Sequence, residues 1–445
     1  MKVLVVSQSY PPYPQVGGLR AKKIAEMFRD RGHFVTVVTE RLEGEQGDVR
    51  VRDGRLLVRT VHAGLPYRLR LVALRNRLQG RSVALSSWDG VGGGLLESEI
   101  GESLGSMRKG ARAIGRLIIG LLRLPDDQHQ FVPPAYRLCR EEAEAGVDMV
   151  YTTAPAFSTH LVGLLLHLRG VRWVAEFRDP WIVENQTHQG KMPSLARVNQ
   201  WMERLCLKHA DAVVAVTDSV GRQLAAKLPV SERGKVIVAM NGIDELQPVR
   251  GVADHQKLFR IVYAGSFYHD RDPRPFLEAL STWMRKRGFG PEEVQVDFAG
   301  RCRHYANISV EKIVTDLELS EMVGFSDWLS PGEIQTMLIR ADLLLLLARS
   351  QPAQIPNKLF DYLGVRTPIL AVVDAGGESD KILSEVGGQF VLTAPEGENV
   401  TATAILDALE SAYRQRSQPC ATNESALDDL LVRRQFGHLG AALGA

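Results

Sequence analysis

The sequence predicts an α/β protein with two doubly wound parallel sheets. Short apolar runs alternate with amphipathic stretches along almost all of the 445 residues, and the runs form two series. A strong turn signal at Asn241-Gly-Ile-Asp244 separates the two series. Alternating strands and helices are typical of parallel sheets with right-handed crossovers, and this length allows two or three domains.

Apolar runs predict the strands of each series. In the first series they lie at 3–6, 36–39, 149–151, 173–176, 212–216 and 236–239. In the second series they lie at 260–264, 294–299, 343–347, 369–373 and 389–392. The resulting domains are 1–244 and 258–418, with a polar hinge at 242–257. Residues 419–445 have a helical pattern and are expected to pack back on the first domain.

Two helix starts are readable directly from the sequence. Ser330 followed by Pro331 and Glu333 forms a capping box, which opens a helix ending near Arg340. Gly17 and Gly18 follow the first strand and precede a predicted helix at 21–31. Glycine there lets a ligand approach the backbone closely, although such pairs often only make turns.

Residues 65–135 do not fit the alternation and form a basic, irregular insert. Within it, 107–124 is a candidate cationic amphipathic helix, and such helices can lie in a membrane interface. The competing interpretation is an ordinary helix that buries its apolar face against the sheet. The Asp126-Asp127 pair is predicted to lie solvated in a loop, so we expect no metal site there.

Composition excludes several function classes. Charged residues make up 24% and the net charge is +2, which argues against a nucleic-acid partner. Four cysteines lie far apart, without zinc-ligand spacing, as expected in a reducing compartment. No apolar run approaches the roughly 20 residues of a membrane span. We therefore expect a cytoplasmic protein, at the inner face of the membrane if 107–124 binds lipid.

The segment 354–371 is the most informative stretch. It follows the leucine run at 343–347 and reads as a loop, a helix start with Lys358 and Asp361, and a strand. In an open α/β sheet, helix N-termini lie at the carboxyl ends of the strands and favour phosphate. Lys358 would add a positive charge there. Asp361 could accept hydrogen bonds from sugar hydroxyls. A nucleotide-sugar pocket and an ordinary surface helix are both compatible with the segment.

A set of short landmarks occurs along the chain, at 1–14 with 17–18, 151–160, 175–181, 241–244, 263–266, 298–300, 323–325 and 354–371. Each is weak alone, but together, and in this order, they resemble the family 4 retaining glycosyltransferases. Within them, Arg178-Asp-Pro-Trp181 resembles a polysaccharide-assembly subgroup. The resemblance implies the GT-B fold, two Rossmann-like domains with an inter-domain cleft. The first domain would bind the acceptor and the second the nucleotide-sugar donor.

Residue by residue, the resemblance implies both sets of site residues. Asp179, Arg178 and, less closely matched, His160 would face the donor sugar and acceptor. Arg271 falls where the family has a diphosphate-binding lysine, and Asp361 falls on the glutamate that binds the ribose. The full implied donor set is Gly17, Gly18, Gly265, Ser266, Arg271, Gly300, Phe325, Ile355, Pro356, Asn357, Lys358 and Asp361.

Two positions depart from the family pattern. Ser266 stands where the family usually has an arginine, and Ala353 stands where the first glutamate of its E-x7-E motif contacts the donor sugar. These departures leave open a non-catalytic nucleotide-sugar-binding subunit of a glycan-assembly complex. A sugar-nucleotide 2-epimerase of the same fold is the other alternative, although the basic insert would then have no acceptor to serve.

The resemblance implies a retaining transfer without a metal or other cofactor. A sugar would move from a nucleotide-diphosphate donor to a glycan or lipid-linked acceptor in polysaccharide or glycoconjugate biosynthesis. The expected partners are therefore the donor, the acceptor and, through 107–124, a membrane surface.

Overall fold

The computed structural model describes residues 1–12, 16–64, 124–181, 193–249, 258–268, 271–395 and 397–445. It divides into two compact units. Unit 1 comprises Met1–Val216, Gly221–Val238 and Gly440–Ala445, and unit 2 comprises Thr217–Val220 and Ala239–Leu439. The candidate amphipathic helix at 107–124 and most of the basic insert lie outside the described residues.

Unit 1 is built on an eight-stranded sheet in the order β3-β4-β2-β1-β5-β6-β7-β8, parallel except for the β3–β4 pair. Its strands are β1 (Lys2–Val6), β2 (Phe34–Glu40), β3 (Val49–Asp53), β4 (Leu56–Val61), β5 (Met149–Ala154), β6 (Arg172–Phe177), β7 (Ala212–Ala215) and β8 (Val236–Val238). Its helices are α1 (Val16–Asp30), α2 (Val132–Glu144), α3 (Thr159–His167), α4 (Pro193–His209) and α5 (Asp218–Ala226), and α5 begins in the Thr217–Val220 stretch that clusters with unit 2.

Unit 2 is built on a six-stranded parallel sheet in the order β13-β10-β9-β14-β15-β16. Its strands are β9 (Phe259–Ala264), β10 (Val294–Ala299), β13 (Val323–Ser326), β14 (Leu343–Ala348), β15 (Ile369–Asp374) and β16 (Phe390–Ala394), with a small separate hairpin of β11 (His304–Tyr305) and β12 (Ile308–Ser309). Its helices are α6 (Arg274–Arg287), α7 (Val310–Asp316), α8 (Pro331–Arg340), α9 (Asn357–Val365), α10 (Glu378–Val386), α11 (Ala402–Gln415), α12 (Glu424–Asp429) and α13 (Val432–Leu443), whose last residues belong to unit 1.

All the strands predicted from apolar runs are present, because strands buried on both faces read as continuous apolar sequence. The hairpin of β3 and β4 was not predicted. Its first strand alternates valine with arginine and is largely exposed, so no apolar run marks it. The Asp53-Gly54 turn was the available signal, since Gly54 adopts a positive φ of 52° there. The strand β13 was also missed.

The predicted hinge differs from the structure in its described part. Residues up to Val249 belong to unit 2, and the chain leaves unit 1 between Val238 and Ala239. The Ile243 N–H donates to Leu430 O (2.8 Å), and the Val432 N–H donates to Ile243 O (2.9 Å). Gly242 has a φ of 77°, and a Cβ there would lie 2.8 Å from Leu430 O, so this close approach requires glycine.

The C-terminal segment is mostly part of unit 2. Leu427, Leu430 and Leu431 are buried in the apolar core that also contains β14, β15 and α9. Of the segment expected to pack on the first domain, only Gly440–Ala445 clusters with unit 1.

The predicted capping box at the start of α8 is confirmed. Ser330 Oγ accepts from the Glu333 N–H, and the Glu333 carboxylate accepts from the Ser330 N–H at 2.7 Å. Within the described part of the chain, no helix combines the length and apolar character needed to cross a membrane.

Candidate functional site

The carboxyl edge of the unit 2 sheet gathers most of the predicted donor residues. Gly265 and Ser266 follow β9, Gly300 follows β10, and the 354–357 loop lies between β14 and α9. Since β9 pairs with β10 on one side and β14 on the other, these three connections meet at one edge. Ligands of open α/β sheets bind at such an edge.

Gly265 and Gly300 let two connections approach each other closely. The Gly265 N–H donates to Ala299 O, and the Gly300 N–H donates to Ser326 O, both at 2.7 Å. A Cβ at Gly300 would collide with Gly265 O, and a Cβ at Gly265 would collide with Lys358 Nζ. Both glycines have positive φ, 145° and 107°, so side chains are disfavoured there on two grounds.

Lys358 lies in the first turn of α9, with its ammonium group turned inward. Its Nζ lies 3.8 Å from the centroid of the Tyr263 ring and is shielded from solvent, without a hydrogen-bond partner among the described atoms. Burial, together with the nearby positive charge of Arg271, lowers the pKa of Lys358 to about 7. A buried ammonium without a partner is costly, and an anion beside it would relieve that cost.

Arg271 supplies a second cation near Lys358. The side chain is 8% exposed, and its guanidinium carbon stacks 4.2 Å from the centroid of the Tyr268 ring. Its Nε is buried without a hydrogen-bond partner among the described atoms. Two cations that repel each other at the same sheet edge, with unused N–H donors, are arranged for a multiply charged anion.

A second layer of residues holds this edge in place. The Cys302 thiol donates to Gly265 O (3.3 Å), and burial raises the pKa of that thiol to about 12. The Tyr263 hydroxyl donates to Ser266 O (3.0 Å), and the Ala264 N–H donates to the Tyr362 hydroxyl oxygen (2.9 Å). Sequence reasoning missed these side chains, because only the folded chain brings them under the loop.

The remaining predicted donor residues lie along the same edge. Pro356 precedes α9 and is buried, Ile355 and Asn357 are half-buried beside it, and Asp361 is exposed in α9, about one turn after Asn357. Phe325 is half-buried in β13, where its ring packs 5.6 Å from the Phe298 ring. Asp361 is near enough to Lys358 to favour its charged form, although less strongly than Arg271 opposes it.

Gly17 and Arg178 come together in unit 1, and Gly18 lies beside the backbone of Tyr10. The helix α1 begins at Val16, so the glycine pair lies in its first turn rather than in a preceding loop as predicted. Arg178 donates to the carbonyl oxygens of Gly17, Ala154 (3.0 Å) and Pro155 (2.7 Å). A Cβ at Gly17 would lie 2.8 Å from the guanidinium nitrogens. Arg178 therefore ties three backbone segments together.

His160 is fully buried in the first turn of α3. Its Nδ1 is 2.8 Å from Thr152 Oγ1, and its ring packs 4.5 Å from the Phe177 ring centroid and 6.2 Å from that of Trp181. Burial lowers the pKa of His160 to about 3, so the ring is neutral at physiological pH. In these surroundings His160 packs and orients its neighbours.

The Arg178-Asp-Pro-Trp181 element ends at a buried aromatic cluster. Trp181 is completely buried and stacks on Phe157 with 5.0 Å between ring centroids. Its indole N–H donates to Asn199 Oδ1 of α4 (3.3 Å). Asp179 is half-buried beside Arg178, and its charge favours the charged form of that guanidinium.

Sequence reasoning missed a buried ion pair in unit 1. Arg20 Nη2 lies 2.8 Å from Glu176 Oε1, and the Glu176 carboxylate also accepts from Tyr151 (2.7 Å) and Thr153 (2.6 Å). Burial alone would raise the pKa of Glu176, but Arg20 and these hydrogen bonds outweigh it and hold that pKa below its usual range. The available signal was a carboxylate within an otherwise apolar strand.

The prediction of a solvated Asp126 is wrong. Its carboxylate accepts from the Ser158 N–H (2.7 Å) and the Gln128 N–H (2.8 Å). Burial raises the pKa of Asp126 despite these bonds. Asp126 thus fastens the end of the basic insert to the turn after β5. Among the described residues, no group of His, Cys, Asp and Glu has a metal-binding arrangement.

Comparison with solved structures shows the GT-B fold. The chain superimposes on sucrose-phosphate synthase from Thermosynechococcus elongatus with a TM-score of 0.61 at 13% identity, covering 100% of this chain and 98% of that one. HepE from Anabaena, solved in complex with UDP-glucose, gives 0.58 at 14% identity and coverage of 100% and 99%. WaaG, a glycosyltransferase involved in lipopolysaccharide biosynthesis, gives 0.57 at 12% identity with both chains fully covered.

Sequence comparison identifies the family. No curated protein sequence matches this chain. The model of the glycosyl transferase 4-like domain matches residues 17–242, which is half of the chain. The protein therefore belongs to the glycosyl transferase 4-like family and is a glycosyltransferase of the GT-B fold.

Proposed function

We propose that this protein is a retaining glycosyltransferase that moves a sugar from a nucleoside-diphosphate donor to a glycan or lipid-linked acceptor. The observation that carries the proposal is the pair of cations at the unit 2 sheet edge, Arg271 and Lys358. Each has a buried N–H donor without a partner among the described atoms. A diphosphate is the ligand whose charge and acceptor oxygens fit both groups.

The donor would lie along the edge formed by β9, β10 and α9. Gly265 and Gly300 bring the backbone close to that edge, and the N-terminal turn of α9 points its dipole at it. Asp361, exposed about one turn further along α9, would accept hydrogen bonds from the ribose hydroxyls. The HepE complex with UDP-glucose makes UDP the first nucleotide to test.

The chemistry requires stabilisation of the leaving group. When the bond between the anomeric carbon and the phosphate oxygen breaks, negative charge develops on the diphosphate, and Arg271 and Lys358 would offset it without a metal ion. The acceptor oxygen forms the new bond on the same face of the sugar, and its proton passes to the departing phosphate oxygen. Because the leaving group accepts the proton, no separate general base is required.

The proposal of a role in glycan assembly is based on the residues of unit 1 that would bind the acceptor. The Arg178-Asp-Pro-Trp181 element resembles a polysaccharide-assembly subgroup, and Asp179 is its half-buried carboxylate. We assign Asp179 the role of orienting the acceptor hydroxyl, with Arg178 holding the surrounding backbone. The similarity to WaaG in fold is compatible with this class of acceptor.

A non-catalytic nucleotide-sugar-binding subunit is the second candidate. It is favoured by Ala353, whose methyl group stands where the family carries a sugar-contacting glutamate, and by Ser266 in place of an arginine. Both candidates bind the donor, so binding alone does not separate them. Turnover with an acceptor separates them.

The first experiment measures the melting temperature and binding heat of the protein with UDP, GDP, ADP and CDP and their glucose derivatives. A ligand that binds the folded state raises the melting temperature by mass action. We expect a base-selective rise that Lys358→Met and Asp361→Ala reduce and that Lys312→Met, a substitution of an exposed lysine on α7, leaves unchanged. The absence of a rise with every nucleotide contradicts the donor site.

Turnover is then tested with the selected donor and a panel of glycan and lipid-linked acceptors. Product formation with retained anomeric configuration, followed by NMR, supports the transferase. Donor binding without product or sugar hydrolysis supports the binding subunit. Conversion of the donor sugar to its epimer without an acceptor would identify the 2-epimerase.

A further inference from the structure

The outer face of helix α4 carries apolar and cationic side chains together. Trp201 is 60% exposed and Val198 is 37% exposed on this face. Arg197, Arg204 and Lys208 are also exposed, and Leu205 is half-buried. With 3.6 residues per turn, positions 197, 198, 201, 204, 205 and 208 fall on one side of the helix, which we call the α4 outer face.

The opposite side of α4 is the one that packs on unit 1. It carries the buried residues Leu195, Asn199, Glu203, Cys206 and Leu207. The inward side therefore already holds the helix in the fold, and the α4 outer face is apolar and cationic surface that the described part of the fold leaves exposed.

The α4 outer face lacks a carboxylate of its own. Glu203 is the one acidic residue between Pro193 and His209, and it is 1% exposed. It lies on the inward side, where both its oxygens accept from Lys227 Nζ at 2.7 Å. The three cations of the face are thus not offset by an acidic residue of the same helix.

The neighbouring helix α3 also ends in exposed leucines. The helix α3 packs against α4. Leu165 and Leu168, at the end of α3 and just after it, are 38% and 65% exposed, and Arg169 beside them is exposed. Single exposed leucines are ordinary, but these two belong to a segment that packs against the helix with the exposed tryptophan and three cations.

We infer that the α4 outer face, with Leu165 and Leu168, docks unit 1 on an anionic lipid surface. Tryptophan and leucine side chains insert into the headgroup region, while arginine and lysine bury their aliphatic stems and keep their charges at the phosphates. Duplex nucleic acid would pair with the cations but would leave the leucines and Val198 in water. An anionic lipid surface therefore matches both the apolar and the cationic side chains of the α4 outer face.

Docking at this face would keep the acceptor-side element near the membrane, on the far side of α4. The same helix holds Trp181 through Asn199 on its inward side. A lipid-linked acceptor would then diffuse in the plane on which unit 1 rests. The inference does not depend on the proposed transfer reaction, because lipid binding is measured without donor or turnover.

The test is binding of the full-length protein to vesicles of phosphatidylcholine with and without phosphatidylglycerol, by flotation. We expect binding only with the anionic lipid and weakening at about 0.5 M salt, where charges are screened. Reversing Arg197, Arg204 and Lys208 to glutamate should weaken binding roughly 100-fold, since each cation near the surface contributes about fivefold or more. Reversing the exposed cations Lys286, Lys312 and Arg340 of unit 2 is the matched control.

A second set of variants tests the apolar contribution. Trp201→Ser should weaken binding and remove the blue shift of tryptophan fluorescence on vesicle addition, whereas Trp328→Ser, which removes a tryptophan 76% exposed in unit 2, should do neither. Equal binding of the α4 charge-reversal variant and the wild type overturns the inference. So does binding that is lost only when the cations of 107–124 are removed, or tighter binding to RNA than to anionic vesicles.

Discussion

The ammonium group of Lys358 lies 3.8 Å from the centre of the Tyr263 ring, and no described carboxylate pairs with it. The ring face attracts a cation, but it replaces only part of the hydration that burial removes. Arg271 adds repulsion, and the pKa of Lys358 falls to about 7. The charged form of the Lys358 ammonium group would therefore be stabilised by an anion beside it.

Replacing Lys358 by methionine should separate ligand binding from stability. We expect Lys358→Met to weaken binding of a nucleoside diphosphate by about tenfold or more, roughly 1.4 kcal/mol, because a charge-assisted contact to phosphate is lost. The melting temperature of the ligand-free protein should stay constant or rise, because the variant removes a buried ammonium without a partner. Calorimetric titration and thermal unfolding measure the two effects, and Lys312→Met controls for loss of a lysine elsewhere. An unchanged affinity would contradict the assignment.

Diphosphate binding should be linked to proton uptake. At pH 8 Lys358 is largely neutral when no anion is bound beside it, and a bound phosphate would raise its pKa, so binding takes up a proton. Affinity should fall as the pH rises above about 7. Titrations in two buffers with different ionisation enthalpies measure the proton count, and Lys358→Met should remove the uptake. Equal binding heats in both buffers for the wild type would contradict proton uptake on binding.

The same lowered pKa of Lys358 determines how the free energy of unfolding, measured without ligand, depends on pH. The unfolded chain binds the Lys358 proton up to the usual lysine pKa, while the folded chain releases it near 7. Between these values the unfolded state holds more protons, so this group contributes stability that increases with pH.

Local signals along the chain predicted a good part of this site. The proline before Asn357 indicates the start of α9. The capping box of α8 is indicated by Ser330, Pro331 and Glu333 at their fixed spacing. Such features depend on neighbours within a turn or two, which the sequence displays. The strand ends that carry Gly265 and Gly300 were also readable, because buried parallel strands are continuous apolar runs.

Other parts depend on contacts that bridge long stretches of chain. The Cys302 thiol reaches Gly265 O across 37 residues, and Arg20 reaches Glu176 across 156. No local sequence pattern predicts such a pairing. The hydrogen bond from Cys302 to Gly265 O and the ion pair of Arg20 with Glu176 were therefore both missed. Asp126 was misjudged for the same reason, since its partner Ser158 lies 32 residues away.

The two glycines at the sheet edge should tolerate no side chain. Gly265→Ala and Gly300→Ala each place a methyl group against Lys358 or Gly265 O in a backbone region that favours glycine. We expect each to lower the free energy of unfolding by about 1–3 kcal/mol and to weaken diphosphate binding. Gly332→Ala, in the first turn of α8 with open space around it, is the control and should stabilise slightly. Urea unfolding that shows no loss for Gly265→Ala would contradict this geometry.

Arg178 and Gly17 should be energetically coupled. Arg178→Lys keeps the charge but cannot reproduce the three carbonyl contacts, so we expect a loss of about 1–3 kcal/mol in the free energy of unfolding. Gly17→Ala pushes a methyl group against the guanidinium and should also destabilise. In the double variant the losses should not add, with a coupling of about 1 kcal/mol measured by urea unfolding. Additive losses would show that the two residues act independently.

The buried pair of Arg20 and Glu176 should make unit 1 sensitive to acid. Because Arg20 and the hydrogen bonds hold the pKa of Glu176 below its usual range, the folded state binds this proton less readily than the unfolded chain. The stability that Glu176 contributes is present above the unfolded pKa of about 4.3 and is lost as the pH falls through the folded pKa. Glu176→Gln keeps the shape but removes the carboxylate that pairs with Arg20 and so breaks a buried ion pair; we expect a loss of about 3–5 kcal/mol at pH 7.

Glu176→Gln should also make the free energy of unfolding less dependent on pH in the acidic range. Urea unfolding from pH 7 to pH 3, monitored on unit 1, compares the wild type, Glu176→Gln and the double variant Arg20→Leu with Glu176→Leu. The double variant should recover part of the stability, because replacing both partners removes two buried charges together. If the double variant is less stable than Glu176→Gln, the polar contacts from Tyr151 and Thr153, rather than the ion pair, hold this part of the sheet.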